Sequence, residues 1–211
     1  MIYEAADASS PVSQGDIFTG IPCVELPPDC LKVFLEDEKL YRLNWEEFAL
    51  EGTIRNALVG VRPVQAIVGS QDCDAVRAPD VTLFEIRPFS EVEGKSKQTT
   101  APAPWMRILT QHSKVNQKWF YLPPDELCDF TSKMAVDFDV SLRVPRGALT
   151  RLLGFRKARL NQIASAHFRE RISEYFRRYA YDEWYALNRE EFEEYSKTRP
   201  DSTPYPWQTD D

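Results

Sequence analysis

The residues best equipped for chemistry sit in one stretch, VRPVQAIVGSQDCD, where an apolar run opens on Arg62 and closes on Ser70, Asp72, Cys73 and Asp74. Val64, Ala66 and Val68 alternate with Gln65, Ile67 and Gly69, the period of a largely buried β-strand, so the polar residues crowd a strand exit. Cys73 is a candidate nucleophile there, with Ser70 and Asp72 beside it and His112 or His167 as the bases that folding would have to bring near. Its two flanking carboxylates oppose thiolate formation, and a small residue at a strand exit, with Asp74 capping a turn, accounts for the same pattern. Asp72 and Asp74, joined by Glu85, have the chemistry of a magnesium site. Solvated turn carboxylates are the simpler reading, and no resident metal or cofactor is expected. Cys23 and Cys30 match no common zinc-knuckle spacing and are read as reduced thiols.

The flanking elements must position these residues. Residues 1–14, rich in Ala, Ser and Asp, read as a flexible leader, and Gly15, Asp16 and Ile17 open a first strand. An insertion over about 27–58 follows. LKVFLE and EKLYRLN alternate as the arms of a β-hairpin, and Asn44 with Glu47 three positions on reads as a capping box for a short helix carrying Trp45, Phe48 and Ala49 on one face. VTLFEIRPF is a further core strand, EVEGKSKQTTAPAP a loop, and WMRILTQH, KWFYLPP and MAVDFDVSLRVP three more strand candidates. Many short strands with Pro-rich turns favour a small β-barrel over residues 15–150, an α+β fold once the C-terminal part is added.

That part, 151–196, is expected to be helical and packed on the barrel, with an irregular tail over 197–211. From Arg156 the period shifts towards 3.6, and Leu160, Ile163, Ala164, Phe168, Ile172, Tyr175, Phe176 and Tyr179 form one apolar stripe. Between Arg156 and Arg178 seven cations stand against two carboxylates. Arg169, Arg177 and Tyr179 are therefore candidate RNA contacts, combining phosphate binding with stacking, and Arg87 joins them from the VTLFEIRPF strand. A structural helix, or one that contacts a protein partner or a second copy, is the simpler reading, and the acidic segment from Asp182 could fold back to neutralise the basic face.

A strand opening on Gly15-Asp16-Ile17, followed by Arg62-Pro63-Val64 and an apolar run ending in a polar turn, resembles the MazF/PemK toxin endoribonucleases, which are small SH3-like barrels. The resemblance spans about residues 15–90. It implies an SH3-like barrel with insertions, single-stranded RNA as ligand, metal-independent cleavage through the 2′-hydroxyl, and a catalytic role for Arg62, whose fixed charge suits a developing phosphorane. Where the family carries a hydroxyl partner, this chain has Ile86, Arg87 and Pro88. A barrel can outlive its nuclease site, and the alternative is a non-catalytic interaction subunit of a toxin–antitoxin or phage-defence complex.

Composition bounds these readings. The 211 residues carry a net charge of −7, which argues against a surface basic overall and leaves room only for a local cationic patch. With no long apolar run and no signal-peptide pattern at the N-terminus, no membrane partner and a cytoplasmic location are expected.

Overall fold

The computed structural model describes residues 2–7, 9–35, 39–92, 99–110, 118–177 and 189–204. Two compact units emerge, residues 1–175 and 176–211. The first is built on a curled, half-barrel antiparallel sheet in a mixed α+β fold. Its strands are β1 (Tyr3–Glu4), β2 (Asp16–Glu25), β6 (Gly60–Val68), β7 (Asp80–Pro88), β8 (Trp119–Leu122), β9 (Met134–Pro145) and β10 (Arg156–Leu160), in the order β1-β10-β2-β6-β7-β9-β8. A separate sheet, in the order β4-β3-β5, is formed by β3 (Cys30–Phe34), β4 (Leu40–Asn44) and β5 (Asn56–Leu58), all inserted between β2 and β6.

Alternation along β6 feeds two apolar clusters. Val64, Ala66 and Val68 join Phe18, Ile21, Leu83 and Leu149 in one, and Ile67 joins Phe84, Val136, Phe138 and Phe168 in the other. Burying a side chain such as Phe168, fully inaccessible to solvent, stabilises the fold by about 1.5–3 kcal/mol. A third cluster is aromatic, with Phe89 edge-on to Trp105 and Trp119 at centroid distances of 5.0 and 4.6 Å.

Local signals in the insertion are realised as read. β3 and β4 pair from Cys30↔Asn44 to Phe34↔Leu40. Asn44 Oδ1 accepts the Glu47 amide at 2.7 Å while Glu47 Oε2 accepts the Asn44 amide at 2.9 Å, the reciprocal box that starts α1 (Trp45–Glu51). Gly52, at φ 64°, ends it in the left-handed conformation.

Elsewhere three expectations are corrected. WMRILTQH is not a strand: Pro102–Thr110 is an α-helix, here the fourth after α1, α2 (Asp72–Arg77) and α3 (Phe89–Val92). Pro suits a first helical turn, where its missing N–H costs nothing, and Trp105 and Ile108, one turn apart, meet the aromatic cluster. The leader is not loose. Tyr3 pairs with Leu160 and is buried, and Val12 lies in the core. Finally, Arg156–Leu160 is a strand, with Arg156, Ala158 and Leu160 inward, and the helix begins after it. Asn161 Oδ1 accepts the Ala164 amide at 2.9 Å and caps the helix Gln162–Arg177, α6, which follows α5 (Arg146–Arg151).

On α6 the apolar stripe is narrower than expected. Ala164 and Phe168 are buried and Ile172 and Tyr175 pack beside them, but Ile163 and Phe176 are exposed. The expected basic face also breaks up. Arg156, Lys157 and Arg159 are on β10 and pair with Asp16, Asp129 and Asp16. Arg171 is buried, bonded to Glu174 at 2.6 Å. The second unit contains a helix, α7 (Arg189–Thr198), rich in glutamate. Among the described residues no helix is long and apolar enough to cross a membrane.

Candidate functional site

β2 and β6 lie side by side, with Cys23 in register with Arg62 and Glu25 with Gly60, while β7 carries Glu85 opposite Ala66. This register draws two carboxylates onto Arg62. Its Nη1 and Nη2 donate to the two oxygens of Glu85 at 2.6 and 2.8 Å, a bidentate fork, and its Nε donates to Glu25. Glu85 is almost wholly buried (side chain 3% exposed), whereas Arg62 is 42% and Glu25 56% exposed. Glu85 first, then Glu25, push the Arg62 guanidinium further up from its already high range. Burial raises the neighbouring Cys23 thiol, partly offset by the Arg62 charge.

The arginine opens onto a cleft of about 450 Å³ that also takes in Gln65, Glu85, Arg87, Glu91 and Met134. Arg87 is similarly engaged: its Nη1 donates to Asp137 at 3.2 Å, and Glu91 lies 3.7 Å from its Nη2. Both cations of the cleft are thus matched or outnumbered by carboxylates. Three of the five Arg62 N–H donors are committed before any ligand arrives.

Ser70, Asp72 and Cys73 are not part of this cleft. From Arg62, β6 runs on to Val68, about 20 Å at the rise of a β-strand, before the chain reaches Ser70. At that far end Ser70 Oγ accepts the Thr82 amide at 2.9 Å, and Asp72 Oδ1 accepts the Gln14 amide at 2.8 Å. Gln14 Nε2 in turn donates to the Gly69 carbonyl at 2.8 Å, and Arg169 Nε donates to Gln14 Oε1 at 3.1 Å. The polar knot therefore laces the N-terminal segment to the exit of β6. Glu85 is paired with Arg62 and Asp72 accepts from the Gln14 amide, so Glu85 does not join Asp72 and Asp74 in a three-carboxylate magnesium site. Among the described residues no group of three or more His, Cys, Asp and Glu side chains could hold a metal ion.

Of the candidate RNA contacts, only Arg87 shares the cleft with Arg62. Arg169 belongs to the Gln14 lacing, and Arg177 is exposed at the end of α6. Tyr179 lies outside the described residues, as does His112. Glu25 and Glu85 escaped the sequence reading as partners of Arg62. A carboxylate in the middle of an otherwise apolar strand was the available signal, since a buried charge demands a counter-charge.

Cys73 is exposed, and its thiol faces Asp74 Oδ1 at 3.8 Å. Cys23 and Cys128 are buried, and burial, followed by Asp125 and Asp129, pushes the Cys128 thiol up to about 12. Iodoacetamide at pH 8 is therefore expected to modify Cys73 in the native protein and to reach Cys128 only on unfolding, as read by peptide mass spectrometry. A Cys73 rate that stays high at pH 6 would instead mark an activated nucleophile.

The chain matches no family model, no curated protein and no solved structure.

Proposed function

We propose that this protein is a non-catalytic interaction subunit, built on an SH3-like barrel of the MazF/PemK type, whose inserted sheet and helix contact a protein partner. The observation that carries the reading is the distribution of exposed apolar side chains. Of the seventeen large ones among the described residues, eight lie in the insertion between Glu25 and Gly60, including Leu50 at 84% and Ile54 at 98% exposure. The helix α1 buries none of its residues. Apolar side chains gathered this densely on one surface insertion mark an interaction site. The barrel reading is supported by the adjacency of the Gly15-Asp16-Ile17 and Arg62-Pro63-Val64 strands, and the resemblance points to a toxin–antitoxin or phage-defence complex as the setting.

Register supplies the test. Because Glu25 and Gly60 are paired neighbours, residues 26–59 can be replaced by an Asn-Gly hairpin turn without altering the main sheet. Co-expression with the neighbouring genes is expected to yield a complex that cleaves no RNA and that is lost with the shortened chain. A complex that survives the excision removes the reading.

A second reading, a metal-independent endoribonuclease acting on single-stranded RNA, is favoured by one observation: Arg62 and Arg87, from separate strands, line the same open cleft. There Glu25 would serve as the base for the 2′-hydroxyl and Arg62 would stabilise the phosphorane. The prior commitment of Arg62 to two carboxylates places this reading second.

A further inference from the structure

We propose that one face of the inserted sheet is a docking groove for an acidic, aliphatic protein segment; this rests on the interaction reading above and names the partner's chemistry. The pleat of β3 separates two faces. Leu31 and Val33 are buried, and Lys32 and Phe34, alternating with them, are exposed. The register sets Lys32 opposite Arg42 on one side and Leu58 on the other, and Phe34 opposite Leu40. Leu26, Pro27 and Pro28 wall the same surface into a groove of about 580 Å³ over Lys32, Arg42 and Leu58.

Two cations directly across a strand pair repel one another and destabilise the sheet that carries them. Among the described residues no carboxylate lies within ion-pair distance of either, although elsewhere Lys118, Arg143 and Lys157 all have one. A carboxylate brought by a ligand would relieve that repulsion. The surrounding side chains, Phe34 at 40%, Leu40 at 46% and Leu58 at 54% exposure, would meet leucine- or valine-like side chains of the same ligand.

The occupant is protein rather than RNA on two grounds. No aromatic side chain lines the groove, whereas splayed bases need stacking platforms. Glu25 and Asp29 also line the groove, so the positive field is confined to the Lys32–Arg42 pair and does not extend along a phosphate backbone.

The test uses the full-length protein and a fluorescent peptide of alternating Glu and Leu, with its Lys–Leu counterpart and oligouridylate as controls. Saturable binding of the Glu–Leu peptide alone is expected. The double variant Lys32→Glu, Arg42→Glu should weaken it at least tenfold and transfer preference to the Lys–Leu peptide, and Leu58→Asp should weaken it with the cations intact. All three positions are exposed, and an unchanged thermal midpoint will show that the fold is kept. Equal binding of the two peptides, competition by oligouridylate, or self-association through this face in sedimentation would overturn the inference. So would a native partner that is lost on excising residues 26–59 yet retained by the Lys32→Glu, Arg42→Glu variant; that outcome leaves the interaction reading standing.

Discussion

Asp16→Ala is expected to lower the unfolding free energy by about 3–5 kcal/mol, a large part of the stability of a domain this size. The Asp16 side chain is fully buried and Arg156 is 1% exposed. Asp16 accepts from Arg156 Nη1 at 2.9 Å, from Arg159 Nε at 2.5 Å and Nη2 at 3.1 Å, and from the Ser13 amide at 2.9 Å. Truncation removes the carboxylate but leaves the Arg156 charge inside, where it also donates to the carbonyls of Asp7, Ser10 and Pro11. An uncompensated buried cation either unfolds the site or drags water in, and the N-terminal segment tied to it loosens in both cases. Asp16→Asn keeps the shape and two acceptor lone pairs and should cost less. Urea denaturation measures the loss through a shift in midpoint, and hydrogen exchange should rise first over residues 7–16. A loss below about 1 kcal/mol would mean that the pair is replaceable at little cost, as some buried ion pairs are.

The same residues show which parts of the fold could be read in advance. Asn44, Glu47 and the alternating arms of the hairpin were legible because their partners lie within a few positions of them. The run Val64–Val68 was legible because burial imposes its own period. Arg156 was not: in Arg156-Lys157-Ala158-Arg159-Leu160 the inward residue is itself charged, so alternation is masked and the segment passes for the start of a basic helix. Its counter-charge lies 140 residues away, beyond any local pattern. The leader failed for the same reason, since what orders it is the Arg156 side chain and the edge of β10. WMRILTQH reads equally as strand or helix because Trp105 and Ile108 serve both, and Pro102 and Pro104, which open the helix, have the composition of the loop before it.

The site was legible by residue type and not by pairing. Arg62 and Arg87 do share a cleft, and Ser70, Asp72 and Cys73 do crowd the exit of β6, but the pattern could not say that a strand's length keeps the two groups apart. Glu85 was visible as a carboxylate between Phe84 and Ile86. Only strand register reveals that it faces Arg62 and not Asp72.

That pairing dictates how the nuclease reading must be tried. Arg62→Ala is expected to destabilise the protein by about 2 kcal/mol, below the usual range for broken buried pairs because Arg62 is 42% exposed and water reaches it. Loss of activity in that variant would then confuse a missing catalytic group with a disturbed strand. Arg62→Lys retains a charge for Glu85 but not the bidentate fork, and should cost less stability. Replacing both partners, Arg62→Leu with Glu85→Leu, should recover most of the Arg62→Ala loss, since no unpaired charge remains. Stability thus follows the charge left on Glu85, whereas phosphorane stabilisation would follow the guanidinium itself. Under the interaction reading, single-stranded RNA with EDTA present stays intact with the wild type and with every variant. Under the nuclease reading the wild type cleaves, and Arg62→Lys loses about 10²–10³ in rate while its unfolding midpoint moves little. Cleavage by the wild type that survives in Arg62→Lys would move catalysis away from this arginine, because no lysine can reproduce a fork already closed on Glu85.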